Sequence, residues 1–251
     1  MSLPVHLVDS LAGARGGDVV VVEGDEAHHA VAVRRLREGE LVVLTDGLGI
    51  SATGTIVGTA KRRLEVRLDE VATAPEPTPS VTVVQALPKG DRGELAVEVL
   101  TEIGAARIVP WAAERSVAVW KGERAERGHA RWSSTAREAT KQARRAWHPQ
   151  VLPLTRTEKV LDLMRDAALA VVLHEEATTP LAGLEVPGEG DVVVVVGPEG
   201  GLTGAEVSAF TQAGALSVRL GSEVLRTSTA GVAAVAALLS RTARWTATSG
   251  S

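Results

Sequence analysis

Five consecutive valines, Val192 to Val196, are followed at once by a glycine-rich loop, Gly197-Pro-Glu-Gly-Gly201. A β-branched run without alternating polar positions predicts a strand buried on both faces, as in the parallel sheets of α/β domains. A second apolar run, Leu216–Leu220, leads into another loop at Gly221, and Thr203-Gly-Ala-Glu206 between the two runs matches a helix capping box. Strand, helix and strand then form a βαβ unit, which commonly joins neighbouring strands. Both loops are predicted at the carboxyl edge of the sheet, where open α/β sheets bind ligands.

Composition excludes several kinds of site. The chain of 251 residues has no cysteine, which excludes disulfides, a thiolate nucleophile and cysteine-ligated metal centres. No apolar run approaches the ~20 residues that span a membrane, so we expect a soluble cytoplasmic protein without membrane association. His28 and His29 are adjacent and no His-x-x-x-His pair exists, so no metal site is expected.

The change in sequence texture around residues 72–80 predicts a domain boundary. This stretch contains three prolines and no large apolar residue, which is typical of a linker. Residues 1–71 read as short strands with one helical stretch at 25–36, which favours a small β-barrel. Residues 81–251 alternate strands with helices and predict an α/β domain with a mostly parallel sheet, including a long helix over 124–147 interrupted near Gly128.

Residues 120–148 carry eight basic and three acidic side chains, although the net charge of the chain is −4. Arg137, Lys141 and Arg144 recur at helical spacing and share one face, with Trp132 and Trp147 interleaved. This pattern favours contact with a polyanion such as nucleic acid. The alternative is an ordinary solvated helix face.

The two glycine loops match neither a Walker A loop nor the G-x-G-x-x-G dinucleotide fingerprint. A plain βα turn needs only one glycine, and the first loop has three, so we interpret it as a ligand loop. Arg226 follows the second loop between Leu225 and the hydroxyls at 227–229, which are predicted to cap the last helix.

These motifs together resemble the ribosomal small-subunit RNA methyltransferase E family over nearly the whole chain. The blocks that carry the resemblance are Gly197-Pro-Glu-Gly-Gly-Leu-Thr-x-x-Glu206, Leu220-Gly-x-x-Val-Leu-Arg-Thr-x-Thr-Ala230, Ala86-Leu-Pro-Lys89-Gly-Asp, Glu102-Ile-Gly104, Glu114-Arg-Ser116, Glu138-Ala-x-x-Gln142-x-x-Arg145 and Ala27-His-His29. The resemblance implies a PUA-like barrel followed by a SPOUT domain with a trefoil knot. It further implies S-adenosylmethionine as cofactor, methylation of N3 of one uridine in 16S rRNA of the small ribosomal subunit, and a homodimer whose active site uses both chains.

Site residues follow from the resemblance and from three strand ends that converge at one sheet edge. The predicted cofactor-binding residues are Leu173, His174, Gly197, Pro198, Glu199, Gly200, Gly201, Leu220, Gly221, Leu225, Thr227 and Ala230. The predicted RNA-binding residues are Arg34, Arg35, Lys89, Arg115, Arg137, Lys141 and Arg145.

Arg226 is the predicted catalytic group, because it could stabilise the negative charge of a uracil deprotonated at N3. Glu199 is the nearest candidate general base; the alternative for Glu199 is a bond to backbone amides of its own loop. Two other functions stay open: a non-catalytic RNA-binding or ribosome-assembly protein with a degenerate cofactor site, and a nucleotide-dependent oxidoreductase, which the missing fingerprint disfavours.

Overall fold

The computed structural model describes residues 3–246, which divide into two compact units. The first unit takes the chain up to residue 76 together with residues 140–148, and the second takes residues 77–139 and the chain from 149 onwards. Strands extend to Thr73 and from Ser80, so the proline-rich connection is shorter than the predicted 72–80. Assigning all of 81–251 to one domain did not anticipate that residues 140–148 pack with the first unit.

The first unit is built on a five-stranded sheet with the order β1-β3-β4-β5-β2. Its strands are β1 (Val5–Leu7), β2 (Val19–Glu23), β3 (Leu41–Thr45), β4 (Ile50–Ala60) and β5 (Arg63–Thr73). The pairs are antiparallel except β1 with β3, and α1 (Gly24–His28) continues into one turn of π-helix (His29–Val33). Alternate residues of β5, such as Leu64, Val66 and Leu68, fill the core. The predicted short strands and the helical stretch are therefore present, whereas β1 was not predicted.

Residues 140–148 are held in the first unit by a buried ion pair and by an indole. Lys141 Nζ lies 2.6 Å from Glu26 Oε1, with both side chains close to one-tenth exposed, and His6 Nδ1 lies 3.4 Å from Glu26 Oε2. Burial by itself would raise the pKa of Glu26, but the hydrogen bonds and charges of His6 and Lys141 outweigh it and lower the pKa from 4.5 to about 2. Trp147 Nε1 donates to the Ala74 carbonyl oxygen at 3.0 Å. Lys141 thus has its partner inside the protein, which the sequence pattern on the basic helix did not indicate.

The second unit contains a six-stranded sheet in which every adjacent pair is parallel, as predicted. Its order is β11-β9-β10-β6-β7-β8, with β6 (Ser80–Ala86), β7 (Arg107–Trp111), β8 (Gln150–Val151), β9 (Leu169–Leu173), β10 (Asp191–Val196) and β11 (Leu216–Val218). β9 lies between β10 and β11, so the predicted βαβ unit is present but does not join neighbouring strands, as such units commonly do. β9 is apolar along its length and pairs in register with both, so Val171 lies opposite Val194 on one side and Leu216 on the other.

Helices cover both faces of this sheet, which explains the run of valines. The helices are α2 (Arg92–Ile103), α3 (Glu123–Gln142), α4 (Thr157–Arg165), α5 (Gly204–Gln212), α6 (Thr227–Leu239) and α7 (Ala243–Thr246). Val192, Val194 and Val196 pack in one core cluster with residues of α2, α3 and α6, and Val193 and Val195 pack in the other with α4 and α5. Among residues 3–246, no helix combines the length and the apolar character needed to cross a bilayer.

Helix α3 is continuous through Gly128, so the predicted interruption was wrong. A Cβ on Gly128 would lie 2.5 Å from Cε2 of Trp120, so the glycine makes room for that indole. Trp120 in turn stacks edge-to-face on Trp132, with ring centroids 5.2 Å apart, and Trp132 is only 2 % exposed. Indole packing offsets the roughly 1 kcal/mol that a glycine costs inside a helix. Trp132 is therefore a core residue, not part of an exposed basic and aromatic face.

Candidate cofactor cavity

A cavity of about 700 Å³ lies at the carboxyl edge of the six-stranded sheet. The loops that follow β9, β10 and β11 form its walls, and Val196 and Val218 at the ends of two strands contribute apolar surface. This volume is within the range of small-molecule sites, and the lining combines apolar side chains with many polar and charged groups. The geometry therefore fits an organic ligand about the size of a nucleoside derivative.

Every residue that the sequence predicted for cofactor binding lines this one cavity. The set comes from four segments: Leu173 at the end of β9 with His174 after it, the five residues 197–201 after β10, Leu220, Gly221 and Leu225 after β11, and Thr227 and Ala230 in α6. Parallel strands explain the convergence, because their carboxyl ends all meet at one edge. The predicted catalytic residue Arg226 lines the cavity as well.

Gly200 allows a close approach of another segment to the first glycine loop. A Cβ on Gly200 would lie 3.1 Å from Cβ and 3.2 Å from the carbonyl oxygen of Arg115, which follows β7. Arg115 Nη1 donates to the carbonyl oxygens of Gly200 and Leu202, at 3.3 Å each. Arg115, predicted only as an RNA contact, is thus also a wall of the cavity and a partner of its main loop.

Glu199 bonds to a backbone amide of a different loop. Its Oε1 accepts the N–H of Lys89 at 3.1 Å, so it connects the loop after β10 with the loop between β6 and α2. As the alternative to a base role, the sequence analysis predicted that Glu199 bonds to backbone amides, but it expected those amides in the loop of Glu199 itself. Lys89 is exposed beside this contact.

Arg226 is the N-cap residue of α6, and no side chain caps this helix. The prediction that a hydroxyl at 227–229 caps it was therefore wrong; Thr227 and Ser228 are buried, and the hydroxyl of Thr229 donates to the Arg226 carbonyl oxygen at 3.3 Å. Gln85 in β6 fixes the backbone of Thr227, because its Nε2 donates to the Thr227 carbonyl oxygen at 3.2 Å. The exposed Arg226 guanidinium makes no hydrogen bond or ion pair with the residues that the structure describes. It is available to a ligand in the cavity.

The other residues predicted to bind RNA belong to both units. Arg137 is exposed on α3 in the second unit, while Arg34 and Arg35 are exposed just after the π-helix in the first unit. Arg35 has φ +58°, an uncommon conformation for a non-glycine residue. Arg145 is partly buried in the first unit.

Charged residues that the sequence analysis did not name also line the cavity. They are Arg92, Glu175, Glu176, Arg219 and Glu223. With Arg115, Arg226 and Glu199 they give four arginines and four glutamates around the opening. Four of these five lie within five residues after the ends of β9 and β11, which is the signal that could have identified them. Within residues 3–246 no cluster of histidine, aspartate and glutamate is suited to a metal ion.

Comparison with known proteins agrees with this geometry. Residues 74–239 match the family described as the RNA methyltransferase domain, and residues 22–69 match the RNA methyltransferase PUA domain. The chain is 44 % identical to Ribosomal RNA small subunit methyltransferase E of Mycobacterium bovis, over 92 % of this chain and 90 % of that protein. It is 31 % identical to the protein of the same name from Bacillus subtilis, over 86 % and 88 % of the two chains. A crystal structure of the Neisseria gonorrhoeae protein of that name, bound to S-adenosyl methionine, superposes with a TM-score of 0.86 at 29 % identity, over 95 % of this chain and 98 % of that one.

Proposed function

Because the chain belongs to the ribosomal RNA small subunit methyltransferase E family, we propose that its carboxyl-edge cavity binds S-adenosylmethionine for methyl transfer to small-subunit ribosomal RNA. The observation that carries this proposal is the convergence of three strand-end loops, including both glycine loops, on one cavity. The chain is thus an S-adenosylmethionine-dependent rRNA methyltransferase. The non-catalytic alternative is not favoured, since the cavity and both of its loops are intact.

The cavity residues suit the chemistry of this cofactor. Val196, Val218 and Leu220 offer apolar surface to an adenine ring, and the glycine loops expose backbone N–H and C=O groups to its polar edges. The glutamates and arginines at the opening match the ammonium, sulfonium and carboxylate groups that such a ligand carries. When bound, S-adenosylmethionine supplies an electrophilic methyl group. The side chains of this protein then have to place and activate the acceptor.

We propose N3 of a uridine as the acceptor atom and Arg226 as the catalytic residue. N3 carries a proton and lies on the base-pairing edge, so the uridine must be unpaired and must lose this proton before N3 can attack. The proton passes to solvent, and its loss leaves negative charge on the uracil. The unpaired guanidinium of Arg226, in the same cavity as the glycine loops, is suited to stabilising that charge.

For Glu199 we infer the structural role instead of the role of base. One of its oxygens accepts the Lys89 N–H, which keeps the loop between β6 and α2 attached to the loop after β10. Lys89, Arg115 and Arg137 in the second unit, and Arg34, Arg35 and Arg145 in the first, are proposed to contact phosphates of the RNA. Lys141 is left out of this set because its ammonium is paired with Glu26 and close to nine-tenths buried.

We also propose the trefoil knot, the homodimer and a cytoplasmic location. Support for the knot comes from Arg219, which bonds through its N–H to the Thr179 carbonyl and through its carbonyl to the Leu181 N–H, so the chain after β11 passes against the loop after β9. Support for the homodimer comes from Val224 and Leu225, apolar side chains that are 74 % and 40 % exposed at the cavity, where a second copy could cover them. The cytoplasmic location follows from the substrate, which is part of the ribosome.

The first test is ligand choice. A ligand that binds only the folded state raises the melting temperature, so S-adenosylmethionine should raise it, whereas NAD and ATP should not. The second test is the product. Mass spectrometry of rRNA nucleosides from a deletion strain should show the loss of N3-methyluridine from small-subunit RNA and its return on complementation. Stabilisation by NAD alone, or an unchanged nucleoside profile, would contradict the proposal.

A further inference from the structure

Glu206 does more than close the capping box of α5. Its Oε2 accepts the N–H of Thr203 at 2.9 Å, and the hydroxyl of Thr203 accepts the N–H of Glu206 at 3.2 Å, as the sequence predicted. Its other oxygen, Oε1, accepts the N–H of Glu114 at 2.9 Å. The carboxylate is buried, with only 5 % of the residue exposed. A cap needs one oxygen, so the second connects α5 to the segment that follows β7.

This segment, residues 113–116, is a tight turn that presents Arg115. The N–H of Ser116 donates to the Ala113 carbonyl oxygen at 3.1 Å, and the hydroxyl of Thr203 lies 3.1 Å from Glu114 Oε2 as a second connection to α5. Glu114 is therefore held at its amide and at its side chain. The residue next to it, Arg115, packs on Gly200 with its Cβ and backbone.

Arg115 uses only part of its hydrogen-bonding capacity. A guanidinium has five N–H donors, and Nη1 points two of them at the carbonyls of Gly200 and Leu202. The N–H groups on Nε and Nη2 have no partner among residues 3–246, and the residue is exposed at the cavity. Three donors in a fixed planar fork match a phosphate group.

We propose that Glu206 is a positioning residue that holds Arg115 in place to bind a phosphate of the RNA next to the methyl acceptor. The inference rests on the proposed function, because it takes the occupant of the fork to be the RNA substrate. Glu206 contacts neither cofactor nor RNA. It acts through the amide of Glu114, and its effect is felt in RNA binding.

The substitution Glu206→Gln separates the two roles of this side chain. Glutamine serves in capping boxes as well as glutamate, so its oxygen can keep the bond to Thr203. Its amide nitrogen is a donor and cannot accept the N–H of Glu114. Glu158→Gln is the matched control, because Glu158 is also in the first turn of a helix, α4, and is exposed.

The measurement is binding of a small-subunit rRNA transcript at saturating S-adenosylmethionine, over a range of salt concentrations. Glu206→Gln should weaken binding by about tenfold, the scale of one charge-assisted hydrogen bond. It should also reduce the slope of log K against log salt by roughly 0.7–0.9, the value for one phosphate contact. Cofactor affinity without RNA and the melting temperature should match those of Glu158→Gln.

Arg115→Ala should produce the same loss of slope, and the double variant should lose no more than either single one. If Glu206→Gln lowers the melting temperature, Glu206→Asp replaces it. Aspartate keeps the charge at the start of α5 but withdraws the carboxylate by about 1.5 Å, one bond length, and must give the same slope.

A normal slope for both Glu206 variants, with a reduced slope for Arg115→Ala, would overturn the positioning role. A normal slope for Arg115→Ala would overturn the phosphate contact. Failure of the unmodified protein to bind or methylate rRNA would count against the proposed function itself, which keeps the two failures apart.

Discussion

The amino and carboxyl edges of the six-stranded sheet carry similar arginines in different circumstances. At the amino edge, Arg107 donates from Nε to the Thr82 hydroxyl at 2.7 Å and from Nη2 to Asp191. Arg244 donates to the carbonyl oxygens of Pro79 and Gly104 at 3.0 Å each. At the carboxyl edge, Arg226 has no partner among residues 3–246.

This contrast distinguishes polar groups that stabilise the fold from polar groups that serve a ligand. A partly buried charge with internal partners contributes to stability, and its removal takes a hydrogen bond from each of those partners. A charged side chain without an internal partner at a cavity adds no ion pair or hydrogen bond to the fold, and it can interact with a bound ligand. Variants at the two edges should therefore separate stability from activity.

The largest effect is expected from a glycine at each edge. Gly200→Val at the carboxyl edge should abolish S-adenosylmethionine binding, because the new side chain meets Arg115 at about 3.1 Å and narrows the cavity. Gly188, in the loop that enters β10 at the amino edge, has nothing within 4 Å of a Cβ, so Gly188→Val should bind normally. Isothermal titration calorimetry compares the two. Wild-type affinity in Gly200→Val would remove the loop from the cofactor site.

The next effect is catalytic. Arg226→Ala should lower kcat by roughly a hundredfold, the scale for loss of one group that stabilises developing charge, with little change in cofactor affinity or melting temperature. Single-turnover methylation at saturating RNA measures it. A near-normal rate would show that Arg226 is not a catalytic residue. The arginines at the two edges would then not differ in their effect on catalysis.

A third variant tests the amino edge. Arg107→Ala should lower the free energy of unfolding by roughly 1–2 kcal/mol, since Asp191 loses its ion pair and the Thr82 hydroxyl loses a donor, although these two residues stay hydrogen-bonded to each other. The kcat should stay unchanged. Arg165→Ala is the matched control, because Arg165 pairs with Asp162 at the surface of α4, and loss of this exposed pair should cost less than about 0.5 kcal/mol. Thermal or denaturant unfolding compares them, and a loss of activity at normal stability would break the distinction between the edges.

The smallest effect extends the comparison to α3. Arg137 is exposed without an internal partner among residues 3–246, whereas Arg127 on the same helix pairs with Glu123 at 3.1 Å. Arg137→Ala should weaken RNA binding slightly and reduce the salt slope by roughly one, and Arg127→Ala should leave the slope unchanged. Equal slopes in both variants and the wild type would mean that this face is only solvated.

Local sequence patterns predicted the parts of the site that depend on single strands and their following loops. The valine run of β10 had to be buried on both faces, and the glycines after it had to lie at the carboxyl edge. Because parallel strands share that edge, Leu173 and Gly221 could be placed in one site without knowledge of the strand order. That order stayed hidden: β9 lies between β10 and β11 through pairings between residues distant in sequence.

The errors share a cause, which is a partner contributed by another segment. Gly128 by itself indicated a break in the helix, but in the structure the space beside it is filled by Trp120. The spacing of Lys141 predicted a place on an exposed basic face. In the structure it pairs with Glu26, which lies more than one hundred residues earlier in the sequence. The second bond of Glu206 likewise reaches Glu114, and no capping-box pattern could indicate it.

Because residues 140–148 pack with the first unit, this unit is not a continuous stretch of sequence that can be separated from the rest of the chain. A fragment that ends at residue 76 keeps all five strands but loses Lys141 and Trp147, which leaves the carboxylate of Glu26 buried with His6 alone. An uncompensated buried charge is strongly destabilising, so such a fragment should fold poorly while the full chain folds well. Exchange of this RNA-binding unit between proteins would then require that both of its sequence segments are replaced together. Its last nine residues are inserted in the sequence of the catalytic unit, so the two units cannot change independently.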